Sequence, residues 1–352
     1  MKVLSLFDGM ACGMIAMQFA GMEVESYDAY EIDKYAIKTA QHNFPMIKEH
    51  GDVFGADFTQ YEGVDFLIGG SPCTYWSIAQ TKNRETVASG MGWELFSQYV
   101  RALHEAKPKY FIYENNKSMS KAIRASIDET FGFEAVLINS ALVSAQNRQR
   151  LYWVGKRNED GTYSKVLVEQ PEDRGILLRD ILENGVVWQG KSYNLTTRCC
   201  GAIPEDTLKR HRHTMVAEPV RIGTIENDAK NPTHDSQQYR VYSPDGKDVT
   251  LCGNGGGLGA KTGLYAVPTP KKQHPVYEVR NGLITIKGKQ YPIKLKDGYY
   301  IIRKLTVREC MRLQTVPEWY EFPVSDSQAY KMVGNGWTCE VIAHILKGLK
   351  EA

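Results

Sequence analysis

Residues 1–13 read Met1-Lys2-Val3-Leu4-Ser5-Leu6-Phe7-Asp8-Gly9-Met10-Ala11-Cys12-Gly13. Val3–Phe7 is a short apolar run of the kind that forms a buried strand. The glycine-containing turn after it leads into a helical stretch, Met14–Ala20. A second strand is expected over Val24–Tyr30, ending at Glu31. A glycine turn after the first strand lets a ligand approach the backbone, and an acidic residue ending the second can accept both hydroxyls of a ribose. The dinucleotide signature needs G-x-G-x-x-G, but here Gly9 is followed by Ala11 in the middle glycine's place. Loss of a phosphate-cradling glycine argues against a dinucleotide. It suits an adenosine-containing cofactor without phosphates, such as S-adenosylmethionine.

The alternation continues outward from this unit. Asp33–Asn43 reads as a helix with Asp33 in its first turn and Pro45 beyond its end. Asp65–Ile68 is a strand stopping at Gly69-Gly70. Glu94–Ala106 is helical, Tyr110–Tyr113 is a strand ending at Glu114, and Ser118–Phe131 is a helix with Gly132 as its C-cap. Glu134–Ser140 and Leu151–Val154 complete the series as strands. Such β-α repetition predicts an open, mostly parallel sheet with helices on both faces. From residue 157 to 304 the pattern changes to short strands, Tyr239–Ser243 and Leu283–Lys287 among them, and to turn signals at Pro244-Asp245-Gly246 and Arg280-Asn281-Gly282. This predicts a smaller, β-rich second domain. Helical patterns return over Thr306–Leu313, Ser325–Met332 and Thr338–Leu349. The last presents Val341, Ile342, Ile345, Leu346 and Leu349 on one face, which needs the first domain's core to cover it.

The chain has 352 residues, 42% hydrophobic and 24% charged, which excludes disordered and collagen-like classes. No apolar run is long enough to cross a bilayer, and no signal-peptide pattern precedes Val3, so a cytoplasmic setting is expected. The seven cysteines, Cys12, Cys73, Cys199, Cys200, Cys252, Cys310 and Cys339, form neither a disulfide framework nor a C-x-x-C metal pair. Any special cysteine is then expected to be a nucleophile, and no metal is expected, the pair His211 and His213 lacking further ligands. Net charge is only +2, but residues 1–155 carry 14 basic against 18 acidic side chains, and residues 156–304 carry 24 against 17. A basic second domain points to a polyanionic partner.

Three further segments carry chemistry. Gly69-Gly70-Ser71-Pro72-Cys73-Thr74-Tyr75-Trp76-Ser77 follows directly on a strand, so Cys73 is expected at the carboxyl edge of the sheet, where open α/β sheets bind ligands. Its thiolate would be the reactive form. Glu114, in Tyr110-Phe111-Ile112-Tyr113-Glu114-Asn115-Asn116, should face the same rim and serve as a proton donor if partly desolvated. Arg148 and Arg150, in Gln146-Asn147-Arg148-Gln149-Arg150, should point the same way on an extended segment and bind a base edge or phosphate.

These segments occur in a fixed order: the glycine turn, the acidic strand end, Gly-Gly-Ser-Pro-Cys, Glu-Asn-Asn and Gln-Asn-Arg-Gln-Arg. After them come Leu305-Thr306-Val307-Arg308-Glu309-Cys310-Met311-Arg312-Leu313-Gln314 and Gly334-Asn335-Gly336. In that order the chain resembles the cytosine-C5 DNA methyltransferases over nearly its whole length. The resemblance extends to Gln237-Gln238-Tyr239-Arg240-Val241-Tyr242, Val249-Thr250-Leu251 and Gly255-Gly256-Gly257, similar to the recognition core of the small bacterial enzymes. It implies a Rossmann-like α/β methyltransferase sheet formed by residues 1–156 plus 305–352, with a β-rich target-recognition domain at 157–304.

The resemblance also implies roles. Cys73 would attack C6 of cytosine, Glu114 would hold N3, and Arg150 with Arg148 would contact the base O2 and orient the loop. S-adenosylmethionine would lie against Phe7, Gly9, Glu31, Asp52, Val53, Pro72, Leu95 and Asn335, and Asn115 would brace the Pro-Cys loop. Residues Thr74–Gly92 would form a mobile loop closing over a base flipped out of the duplex. Double-stranded DNA would be contacted by Ser77, Gln237, Arg240, Thr250, Gly256 and Gly257. The protein would act as a monomer with no obligatory protein partner, associated with the nucleoid through DNA. Departures from the commonest pattern are Ala11 and Cys12 for glycines, Ser71 for Phe, Asn116 for Val, and Gly336-Trp337 for Ser-Val. The Ser71 and Trp337 choices are similar to those of the animal de novo branch. None removes a group the chemistry needs. Two rival readings use the same blocks: the same reaction on RNA, and a silent relative that only occupies DNA. The basic second domain favours duplex DNA, and intact Cys73, Glu114 and Arg150 favour an enzyme.

Overall fold

The computed structural model describes residues 1–77, 84–196, 201–211, 213–219, 223–224, 240–241 and 276–351. Its first strand, β1 (Lys2–Leu6), is buried along Val3–Leu6 and pairs in parallel with β2 (Ser26–Tyr30) and β4 (Phe66–Gly69). Phe7 has left the strand: its φ is +59°, and Gly9 and Ala11 follow at +63° and +60°. Three left-handed residues in five make a tight reversal into α1 (Cys12–Phe19). Glycine adopts that conformation freely, whereas Phe7 and Ala11 are strained in it. Helix α2 (Lys34–Asn43) is capped by Asp33, whose side chain accepts from the Tyr35 N–H.

The main sheet continues with β3 (Lys48–Glu49), β5 (Tyr110–Asn116), β6 (Val136–Asn139), β7 (Gln149–Arg157) and β8 (Tyr163–Lys165). Its order is β3-β2-β1-β4-β5-β7-β6, with β8 on β7. The first five strands are parallel, and β7 runs antiparallel to both β5 and β6. The expected mostly parallel sheet is therefore present, with β7 reversed between β5 and β6. That strand lengthens β5 beyond its expected end at Tyr113. Pairing with β7 carries the strand through Asn116, so Glu114 lies inside β5, opposite Tyr152, rather than at its end.

Helices α3 (Met91–Ala106) and α4 (Lys121–Phe131) frame an aromatic core of Phe96, Tyr99, Tyr113, Phe131 and Trp153. The Tyr99 and Tyr113 rings are 4.8 Å apart between centroids, in the tilted geometry aromatic pairs favour. The Tyr99 hydroxyl donates to the Leu67 and Ile112 carbonyls and so bolts α3 to the sheet. Gly132 ends α4 in the left-handed conformation its sequence position predicts. At the far end of the chain, after a helix α5 (Pro204–Arg210), come α6 (Val307–Leu313), α7 (Asp326–Asn335) and α8 (Cys339–Glu351). Helix α8 packs on α1 and buries Val341, Ile342, Ile345, Leu346 and Leu349, the predicted face. Each such side chain stabilises by roughly 1.5–3 kcal/mol.

The chain forms two compact units. The first comprises Met1–Leu177, a short return beginning at Asn194, and the segment from Val307 onward. It thus holds residues 157–177, beyond the boundary placed at 156. The second runs from Leu178 to Tyr193 and from Gly201 to Thr306. Its helix α5 (Pro204–Arg210) precedes β9 (Met215–Pro219), and β10 (Gly223–Thr224) pairs with β11 (Arg240–Val241). Strands β12 (Val276–Arg280), β13 (Leu283–Ile286), β14 (Lys289–Pro292) and β15 (Gly298–Lys304) then join β9 in an antiparallel sheet ordered β14-β13-β12-β15-β9. Asn281 and Gly282, at φ +52° and +70°, make the two-residue reversal between β12 and β13 that their identity announces. Its core gathers Met215, Ala217, Val279, Ile284, Ile286 and Tyr300. Of the strand expected over Tyr239–Ser243, only Arg240 and Val241 fall among the described residues.

Candidate active site

The carboxyl ends of β1, β2, β4 and β5 bring together the segments singled out in the sequence. At β1, the Gly9 N–H donates to Glu31 Oε2 at 2.8 Å, while Glu31 Oε1 accepts from the Ile32 and Asp33 N–H groups, both at 2.8 Å. Glu31 is thus first a brace that holds the glycine turn against the end of β2. The exposed side of the turn is open, since a Cβ added to Gly9 would meet nothing within 4 Å. Asp52 is exposed, and its carboxylate caps the turn Val53–Gly55 through the Phe54 N–H. Val53 is buried, and its carbonyl accepts from Arg101. Leu95 is half-buried on α3, Pro72 is exposed, and Asn335 is exposed at the end of α7.

Two acidic residues join Glu31 that the sequence reading did not single out. Asp8 accepts from the Ser5 hydroxyl at 2.5 Å and the Tyr27 hydroxyl at 2.6 Å, through Oδ1 alone. Its Oδ2 and both carboxylate oxygens of Glu49 are shielded from water and have no hydrogen-bond partner among the described residues. Burial, partly countered by the Ser5 and Tyr27 bonds and reinforced by the charge of Glu31, pushes Asp8 up to about 6. Burial, with the charges of Asp8 and Glu31, pushes Glu49 up to about 8. An unpartnered buried carboxylate is costly. With Glu31 beside them, Asp8 and Glu49 crowd acidic groups around one open turn, a lining that disfavours phosphate and fits a phosphate-free sulfonium cofactor bearing an ammonium group. An acidic side chain beside the first glycine was the one sequence signal that could have found this.

The Pro-Cys segment leaves β4 at Gly70. A Cβ there would lie 2.7 Å from the Glu114 carbonyl and 2.9 Å from its carboxylate, so only glycine lets the two segments touch. Ser71 is buried, with its hydroxyl 2.7 Å from the Tyr113 hydroxyl. Asn115 Nδ2 donates to the Ser71 carbonyl at 3.2 Å and to the Tyr113 hydroxyl at 3.2 Å. The backbone at Cys73 opens a single helical turn to Tyr75. Beyond it Trp76 is fully buried, its indole N–H donating to Glu85. Glu85 Oε1 also accepts from the Gly92 N–H, and Arg84 donates to the Trp76 and Ser118 carbonyls. Within the segment expected to be a mobile loop, Thr74–Gly92, the described flanks thus meet through a buried indole and a glutamate. Residues 78–83 lie outside the described residues, and Ser77 is half-buried at their edge.

Glu114 is held at both oxygens. Arg150 Nε is 3.1 Å from Oε1, with each side chain 12% exposed. Trp337 Nε1 donates to Oε2 at 3.0 Å. Arg148 does not share this direction. Its buried guanidinium donates to the carbonyls of Leu195, Gly334 and Gly336 and to the Asn194 side chain. The expectation that both arginines meet a base is corrected on this point. The last carbonyls of α7 lack intrahelical donors and draw a cation, and Arg148 supplies it. Gln314 adds two bonds to the same segment, to the Val333 and Gly336 carbonyls. Of the expected DNA contacts, Gln237, Thr250, Gly256 and Gly257 lie outside the described residues, and Arg240 is described only as the backbone partner of Thr224.

The sheet thus carries one reversed strand, β7, and sets a glutamate–arginine pair beside the Pro-Cys turn. The model of the C-5 cytosine-specific DNA methylases matches residues 1–351, and the chain belongs to that family. Among curated relatives, the orphan methyltransferase M.SPRI of Bacillus phage SPR is 27% identical, over 99% of this chain and 97% of its own. The type II methyltransferase M.HhaI of Haemophilus parahaemolyticus is 26% identical, over 98% and 93%. Among solved structures, the S. pombe Dnmt2 methyltransferase superposes with a TM-score of 0.57 at 14% identity, covering 99% and 98%. That likeness is one of fold. No helix among the described residues is long and apolar enough to cross a membrane.

Proposed function

We propose that this C-5 cytosine DNA methyltransferase uses S-adenosylmethionine and works through a covalent bond between Cys73 and C6 of a flipped-out cytosine in a short duplex sequence. The observation that carries the reading is Glu114, fixed at both oxygens against the backbone of the Pro-Cys segment. Cys73, as thiolate, adds to C6. Glu114 holds N3 and its proton, which draws electrons toward the ring nitrogen and makes C6 electrophilic. Arg150 turns its remaining donors to the base O2. Bound S-adenosylmethionine supplies an electrophilic methyl group at C5. Loss of the C5 proton to a base and expulsion of Cys73 then release 5-methylcytosine. The cofactor's adenosine would lie along Glu31, Asp52, Val53 and Leu95, with Phe7, Gly9, Pro72 and Asn335 completing the pocket and the acidic turn facing its positive charges. The second unit would read the DNA, through Gln237, Arg240 and Thr250, and a monomer suffices.

Bisulfite sequencing tests this on plasmid DNA from cells without native cytosine methylation, expressing either the wild-type chain or Cys73→Ser. Protected cytosines in one short context, absent with the variant, are expected. Absence of protection from folded protein would move the reading to RNA or to a silent DNA-binding relative.

A further inference from the structure

We infer that Trp337 is a positioning residue for Glu114: its single N–H fixes one carboxylate oxygen, so that the other meets the target base. The inference rests on the role proposed above for Glu114. The indole N–H reaches Glu114 Oε2 at 3.0 Å across 223 positions of sequence. The indole is held from behind. Gly334 and Gly336, just before it, are gripped through their carbonyls by Arg148, and Gly336 also by Gln314. Thr338, just after it, donates from its hydroxyl to Gln314 Oε1 at 2.9 Å. The turn carrying Trp337 is thus fixed on both sides before the indole meets the carboxylate.

The two donors on Glu114 differ in kind. Arg150 has five N–H groups and can turn some of them to an arriving base, while Trp337 has one and no alternative use for it. Arrival of cytosine can therefore redirect Arg150 and free Oε1, whereas Oε2 stays bonded to the indole. The carboxylate then presents one oxygen to N3 in one orientation. A carboxylate without the second tether would rotate, and preorganisation of the reacting group would be lost.

The test compares Trp337→Phe, Glu114→Gln and wild type as full-length proteins. Trp337→Phe keeps the ring and removes the donor. Its kcat is expected to fall about tenfold to a hundredfold, the usual worth of a hydrogen bond to a charged group, with DNA and cofactor Kd held within about twofold. In protein labelled with ¹⁵N at tryptophan, the Trp337 indole resonance, identified by its loss in Trp337→Phe, should move in Glu114→Gln. A kcat within about twofold of wild type, or an indole resonance unmoved by Glu114→Gln, would overturn the inference. If Trp337→Phe fails to fold, Trp337→Leu supplies the assignment, and the resonance shift in Glu114→Gln decides. Full activity of Glu114→Gln would instead refute the role of Glu114 itself, and the resonance would still report whether the tether exists.

Discussion

Arg148 and Arg150 stand two positions apart, and their guanidinium groups serve different structures. Arg148 is buried and spends its donors on the carbonyls of Leu195, Gly334 and Gly336, while Arg150 lies 3.1 Å from Glu114 at the rim of the sheet. The first ties the end of α7 and the turn after it to β7, and the second pairs with Glu114, the carboxylate proposed to hold the base.

Arginine substitutions should separate these roles. Arg148→Ala strands several buried carbonyls and should cost about 3 kcal/mol of stability, visible in thermal denaturation. Arg148→Lys should rescue little, since one ammonium cannot satisfy a planar array of acceptors. Arg150→Ala should leave Tm nearly unchanged and lower kcat about a hundredfold. Equal loss of Tm in both would show that the division is wrong.

Cys73→Ser should abolish turnover and keep DNA binding, because it removes the nucleophile and little else. On duplex DNA containing 5-fluorocytosine, wild type should become trapped as a covalent complex stable to denaturation, and the variant should not. A trapped variant would sink the assignment of Cys73.

Glu49 predicts a pH dependence. Its value rises on folding from 4.5 to about 8, so the folded state binds its proton more tightly than the unfolded chain. Its contribution to stability is complete below about 4.5 and is lost as pH rises through about 8. Glu49→Gln should therefore have a higher Tm than wild type at pH 8, with the difference vanishing toward pH 4.5. Titration calorimetry should show weaker binding of S-adenosylmethionine to the same variant. Unchanged affinity would remove Glu49 from the cofactor's surroundings.

Asn115→Ala removes the bonds to the Ser71 carbonyl and the Tyr113 hydroxyl. The Pro-Cys segment should then lose its brace, and kcat should fall about tenfold with DNA affinity intact. A wild-type kcat would mean that Gly70 and Ser71 alone hold the segment.

Local signals were readable and pairings were not. Asp33 as a cap, Gly132 as a stop, Asn281-Gly282 as a reversal and the buried face of α8 follow from side-chain chemistry within a few residues. The extension of β5 through Asn116 depends on β7, whose direction no local pattern gives. Arg148 looked like Arg150 because both stand on one extended segment, while the carbonyls that claim Arg148 lie 47 to 188 residues away. Trp337 and Glu49 escaped for the same reason, their surroundings being assembled from distant strands and turns.

The closing contacts of the catalytic unit also bear on its synthesis. Helix α1 is covered by α8, and the buried guanidinium of Arg148 is hydrogen-bonded by the carbonyls of Gly334 and Gly336. A chain emerging from the ribosome makes the apolar surface and the cation first and their partners last, after the whole second unit. Until α7 and α8 emerge, Glu114 lacks the Trp337 tether and α1 stays open to chaperones. Methylation competence should therefore appear only once α7 and α8 have been made, and chains truncated before α7 should not methylate DNA.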